Sequence, residues 1–150
     1  MMDSEAIQRI IPHRPPFLLV DRVLECEPGK RAAGIKVVSA GEPYLAGHFP
    51  GRPIVPGVIL LEAMAQLGAV ALLSDPRWQG RIPLFGGVDK VRFRRPVRPG
   101  DVVHLEVEIV RILRGLGKGQ ATARVDGELA AEGELTFALM QPPVQEEGSK

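Results

Sequence analysis

The chain has 150 residues, 45% of them hydrophobic and 25% charged, and a formal net charge of +1. That length suits one domain with a core of its own, and the near-neutral balance argues against the basic surface of a dedicated nucleic-acid binder. Its single cysteine, Cys26, excludes an intrachain disulfide and a cysteine-based metal site, and reads as a half-buried strand residue. Met1 to Glu5 lacks the basic and apolar stretches of a secretory signal. The one membrane-like run, Val55 to Leu73, sits at the short limit for a span and carries Glu62, so the expected location is the cytoplasm.

In chain order, Glu5 to Ile11 is expected as a short helix, opened by Asp3 or Ser4 and stopped by Pro12. Phe17 to Glu25 and Arg31 to Ser39 have strand character on either side of a Pro28-Gly29 turn, which makes a hairpin. Gly41 to Pro56 is a loop constrained by four prolines and three glycines. Gly57 to Leu73 is one long apolar helix, ended by Ser74-Asp75-Pro76. Pro83 to Val97 reads as a long strand, and Val102 to Leu113 alternates apolar and charged positions as a half-buried strand does. Gly115 to Gly119 reads as a flexible turn into Gln120–Val125, and Asp126-Gly127 as a hairpin signal into Glu128–Met140. The polar tail 141–150 is expected to be disordered, leaving 1–140 as a single domain. Several antiparallel strands and one helix too apolar to face water give an α+β class, with the sheet curled around the helix. A helix this apolar and long strand edges also suggest a dimer.

The chemistry is concentrated between Ala46 and Leu73. The helix carries one ionisable residue, Glu62, and one amide, Gln66, four positions apart and therefore on one face. A carboxylate in such surroundings is costly unless it is paired or used, with Arg52, Arg92 or Arg94 as the candidate ion-pair partners. His48 lies just upstream, Pro56 suits a helix start, and Gly57 lets a ligand approach free backbone N–H groups at the positive end of the helix dipole. An imidazole, a carboxyl group and oriented amides are the parts needed to abstract a proton alpha to a thioester carbonyl and expel a hydroxyl as water. The same residues read blandly as a hydrogen-bonded loop histidine and a buried ion pair.

The string from Gly47 to Gln66, GHFPGRPIVPGVILLEAMAQ, strongly resembles the signature of the 3-hydroxyacyl-[acyl-carrier-protein] dehydratases of bacterial type II fatty acid synthesis. Ile11 to Val23 resembles the opening of that family, with Pro15 in place of a frequent aromatic residue, and Gly87 to Val97 with Pro99-Gly100-Asp101 resembles its second block. The resemblance implies a hotdog fold, a curved antiparallel sheet around a central helix. It implies a homodimer, often three dimers to a hexamer, with each active site across the dimer interface. His48 falls on the catalytic histidine, Glu62 on the catalytic acid contributed by the other subunit, and the Gly57 amide on the oxyanion donor, with Phe49 and Gln66 beside it in the substrate-binding set. The implied reaction removes water from a (3R)-hydroxyacyl chain on the phosphopantetheine of acyl carrier protein, with no metal or redox cofactor. Glu62, where related dehydratase/isomerases carry Asp, favours dehydration without isomerisation.

Lys90, Arg92, Arg94, Arg95 and Arg98 form a basic stretch with no acid, and Lys90, Arg92 and Arg94 are expected on one face of a strand. The stretch reads either as a solvated face or as a landing strip for an acidic carrier, with Lys90, Arg92, Arg94 and Arg95 as the docking residues. His13, Asp21 and Arg22 are expected to support the fold, and His104 to lie on the surface. Rival readings are a hotdog acyl-thioesterase, which would release free thiol, and a non-catalytic acyl-binding hotdog protein, which would bind without turnover.

Overall fold

A computed structural model describes residues 1–142. The element order is α1 (Ser4–Ile10), β1 (Arg22–Glu27), β2 (Arg31–Val37), a 3-10 turn (Pro43–Gly47), α2 (Gly57–Leu73), β3 (Ile82–Phe93), β4 (Val102–Leu113), β5 (Leu116–Val125) and β6 (Glu128–Met140). The strands form one antiparallel six-stranded sheet in the order β1-β2-β4-β5-β6-β3. α2 packs against all six strands, and Met64, Leu67, Val70 and Leu72 on it are fully buried. Each such side chain contributes about 1.5–3 kcal/mol by leaving water. This is the hotdog arrangement of an α+β domain. The expectation for the tail 141–150 lies, beyond Gln141 and Pro142, outside the described residues.

Apart from shifts of one or two residues, three boundaries differ from the sequence pattern, each for a physical reason. β3 ends at Phe93 rather than Val97, ahead of Pro96, which has no N–H to give to a ladder. The strand expected from Phe17 begins only at Arg22, because the Phe17 carbonyl and the Leu19 N–H bond to the side-chain amide of Gln66 at 2.8 Å each instead of entering a ladder. The turn expected over Gly115 to Gly119 is confined to Arg114 and Gly115, both at positive φ, and β5 resumes at Leu116. Gly117 and Gly119 serve close packing: a Cβ there would lie 3.2 Å from Leu72 and 3.1 Å from Val107, respectively.

The loop before α2 is held at its base by a part-buried ion pair, Lys36 of β2 to Glu42 at 3.0 Å. At its far end the Val55 N–H donates to the Val97 carbonyl at 2.8 Å, tying the start of α2 to the segment after β3.

Gly68 sets how closely α2 approaches the sheet, since an added Cβ would lie 2.7 Å from the ring of Phe137, itself 2% exposed. Alanine is favoured over glycine in a helix by about 1 kcal/mol, but overpacking against a confined ring costs about 1–3 kcal/mol. Gly68→Ala is therefore expected to lower stability in urea denaturation; a gain would show that the ring gives way.

Candidate active site

His48 sits in a loop locked to itself. The Ile54 N–H donates to the His48 carbonyl at 2.9 Å, and His48 Nδ1 lies 2.8 Å from the Ile54 carbonyl oxygen. A carbonyl only accepts, so Nδ1 carries the proton and Nε2 is left as the basic nitrogen of the neutral ring. Phe49 stacks on His48 with ring centroids 4.2 Å apart. His48, Pro56, Gly57 and Phe93 line one cavity at the start of α2. Pro56 provides no side-chain cap and Gly57, as the first helical residue, has an N–H with no intrahelical acceptor. A Cβ on Gly57 would lie 2.6 Å from the Phe93 ring, so glycine is what lets that ring lie against the start of the helix.

Glu62 lines a different cavity, with His13, Ala65, Gln66, Leu84 and Phe85 among its walls. Gln66 is 1% exposed and its amide is fully used: Nε2 donates to the Phe17 carbonyl and to Glu62 Oε1 at 3.0 Å, while Oε1 accepts from the Leu19 N–H. It has no N–H left for a further partner. Among the described residues no arginine reaches Glu62; the nearby basic group is His13, whose Nε2 lies 3.6 Å from Glu62 Oε1. His13 Nδ1 is buried without a partner, which favours the neutral ring with its proton on Nε2, facing the carboxylate.

Within one chain, then, His48 and Glu62 do not share a cavity. Phe49 and Gly57 group with His48, and Gln66 with Glu62. The basic stretch departs from simple alternation. Asp89 pairs with Glu134 and Arg92 with Glu132, so Lys90 and Val91 face one residue of β6, and Lys90 takes φ 52°. The bulge interrupts the strand's alternation at Lys90, which borders the polar outer face of the sheet together with Glu106, Glu108 and Glu132. Arg94 pairs with Glu132 at 2.7 Å, Arg95 with Glu128 at 3.2 Å, and Arg92 bonds to the Val91 carbonyl. His104 is exposed, as expected.

The model of the FabA-like domain matches residues 11–134. The chain belongs to the FabA-like family. Curated relatives within it include 3-hydroxyacyl-[acyl-carrier-protein] dehydratases FabZ from Moorella thermoacetica, 63% identical over 92% of this chain and 96% of that one, and from Desulforamulus reducens, 60% identical over 94% and 99%. The FabZ of Thermomicrobium roseum is 57% identical over 95% of both chains. In fold, the chain is similar to the dehydratase heterocomplex ApeI:P from Xenorhabdus doucetiae, with a TM-score of 0.72 at 19% identity over 92% of this chain and 91% of that one. It is also similar to Cj0977, a sigma28-regulated virulence protein from Campylobacter jejuni, with a TM-score of 0.66 at 15% identity over 93% of each chain.

His13 is the residue whose place at this site the sequence reading missed. Its position in the opening block says nothing of contact with a helix some fifty residues on; the buried Gln66 amide is what draws the two segments together. Among the described residues, no His, Cys, Asp or Glu cluster is arranged to hold a metal, and no helix is long and apolar enough to cross a membrane.

Burial holds the His13 imidazole below the usual histidine range, Glu62 pulls it up in part, and Arg14 lowers it again. The unfolded chain therefore binds the extra proton first as pH falls below about 6.5, and folding loses stability across that window. The parent's melting temperature is expected to fall more than that of His13→Gln from about pH 7 to about pH 5.5; equal slopes would contradict a buried neutral His13.

Proposed function

We propose that this chain is a hydro-lyase that dehydrates (3R)-3-hydroxyacyl chains on acyl carrier protein to trans-2-enoyl thioesters in fatty acid synthesis. The activity is the one named for relatives 57–63% identical over more than nine-tenths of this chain. The observation that carries the mechanism is the division of labour along β3. His48 with a free Nε2 and Gly57 with a free N–H meet in one cavity, and a clamped Glu62 lies in another.

In this reading, His48 Nε2 takes the C2 proton while the Gly57 N–H holds the thioester oxygen as it gains negative charge. Glu62 gives its proton to the C3 hydroxyl, which leaves as water. The C2–H and C3–O bonds are exchanged for the C2–C3 double bond, and the proton returns from His48 to Glu62 through solvent. Phe49 steadies the His48 ring. Gln66 acts through Glu62 rather than on the substrate. Ala65 and Ala69, small residues beside Glu62, leave a groove toward Phe137 for the acyl chain.

The two half-sites meet in a homodimer. β3 is an edge of the sheet, and Leu84, Phe85, Val88 and Phe93 on it are exposed. The Glu62 cavity borders the start of β3 at Pro83–Phe85, and the His48 cavity borders its end at Phe93. Antiparallel pairing of two β3 edges about a two-fold axis near Val88 and Asp89 sets the start of one strand against the end of the other. Glu62 of each chain then faces His48 of its mate. The carrier docks on Lys90, Arg92, Arg94 and Arg95, of which Arg94 and Arg95 border the His48 cavity. Their exposed pairs with Glu132 and Glu128 are worth about 0–1 kcal/mol each and exchange readily for carboxylates of an acidic carrier.

His48→Ala and Glu62→Gln are each expected to cut turnover by about 10²–10⁴-fold with the oligomer intact. The readout is enoyl absorbance without thiol release. Full activity in either variant would remove it from the mechanism, and thiol release by the parent would favour the thioesterase.

Arg92→Glu with Arg94→Glu is expected to slow carrier-bound substrate more than a small thioester mimic. Equal effects would point to stability instead.

A further inference from the structure

Beside the His48 cavity lies an open recess of about 530 Å³ whose walls are Arg52, Pro53, Ile54, Arg98 and Pro99. It has two cations and no acid in its lining. Among the described residues neither Arg52 nor Arg98 pairs with a carboxylate, although Arg94 and Arg95 nearby both do. Both side chains are exposed, on loops that backbone bonds hold in place. Phe49 and Arg52 exchange two hydrogen bonds of 2.9 Å across a tight turn with Gly51 at φ 72°. The Arg98 N–H donates to Asp101 Oδ2 at 2.9 Å, closing the turn after β3. The Val55–Val97 bond joins the two loops, so Arg52 and Arg98 are brought side by side by main chain, and their guanidinium groups are free.

Two planar guanidinium groups over an apolar wall match a tetrahedral anion next to a branched aliphatic group. Resting on the dehydratase reading, we propose that this recess is the subsite for the phosphodiester of the carrier's phosphopantetheine arm. Arg52 and Arg98 take its two unesterified oxygens, and Pro53, Ile54 and Pro99 take the two methyls of the adjoining pantoyl group. Ile54 is the wall shared with the His48 cavity, and its carbonyl fixes the His48 tautomer, so an arm anchored here leads directly to the reacting end. This is distinct from docking of the carrier's protein surface on the Lys90–Arg95 strip.

The test uses substrates that differ only in the phosphate: 3-hydroxybutanoyl thioesters of pantetheine and of 4′-phosphopantetheine. The parent is expected to prefer the phosphorylated one by about tenfold or more in kcat/KM, expressed in KM. Arg52→Ala with Arg98→Ala is expected to treat the two alike while turning over the pantetheine thioester as the parent does. Lysine at both positions should restore part of the preference. Titration calorimetry with unacylated phosphopantetheine and pantetheine reads the same preference without turnover. A parent with no preference in either assay, or a double alanine variant that keeps it, would overturn the subsite. Preferential binding of phosphopantetheine without dehydration of either thioester would support the subsite and sink the dehydratase reading.

Discussion

Beyond its first turns, α2 has no face for water, and that constraint organises the molecule. Leu60 and every residue from Ala63 to Leu73 are buried, so the sheet has to curl around the helix, with the segment before β1 closing over it. A polar group on such a helix must find its partners inside the protein. Gln66 does so by taking the Phe17 carbonyl and the Leu19 N–H out of the sheet and holding Glu62 with its remaining N–H. One buried amide thus decides where β1 starts, brings His13 to the site and fixes the orientation of the carboxyl group.

A second set of bonds builds the other half of the chemistry. The loop carrying His48 is anchored to β2 through Lys36 and Glu42, closed on itself through Ile54, and tied through Val55 to the segment following β3. Its imidazole reaches the start of α2, one and a half turns before Glu62, yet the two groups open into separate cavities. The exposed apolar edge of β3 runs between those cavities, an edge that a monomer would have to protect by other means. In the proposed dimer, pairing along it resolves the edge and the divided site together.

Much of this was legible in the sequence. The period-2 pattern of β4 and the Asp126-Gly127 turn both came out as read, because each depends on local backbone preferences or on burial of one face. The apolar helix and the block around His48 and Glu62 were equally plain. What escaped were features set by contacts distant in sequence. Phe17 to Val20 has strand composition but bonds to a side chain, and Gly117 and Gly119 read as turn residues but make room for Leu72 and Val107. The bulge at Lys90 broke an alternation that residue types alone implied. That Glu62 has His13 as its basic neighbour, rather than an arginine, follows only once α2 and the opening block are in contact.

The central claim, that each site takes His48 from one chain and Glu62 from its mate, is tested most directly by mixing the two inactive variants. His48→Ala and Glu62→Gln chains, unfolded together and refolded, form mixed dimers with one intact and one doubly damaged site. With random pairing the mixture is predicted to recover about a quarter of parent activity, although each variant alone is inactive. Activity no higher than that of the separate variants, with mixed dimers demonstrated by mass spectrometry, would contradict a shared site.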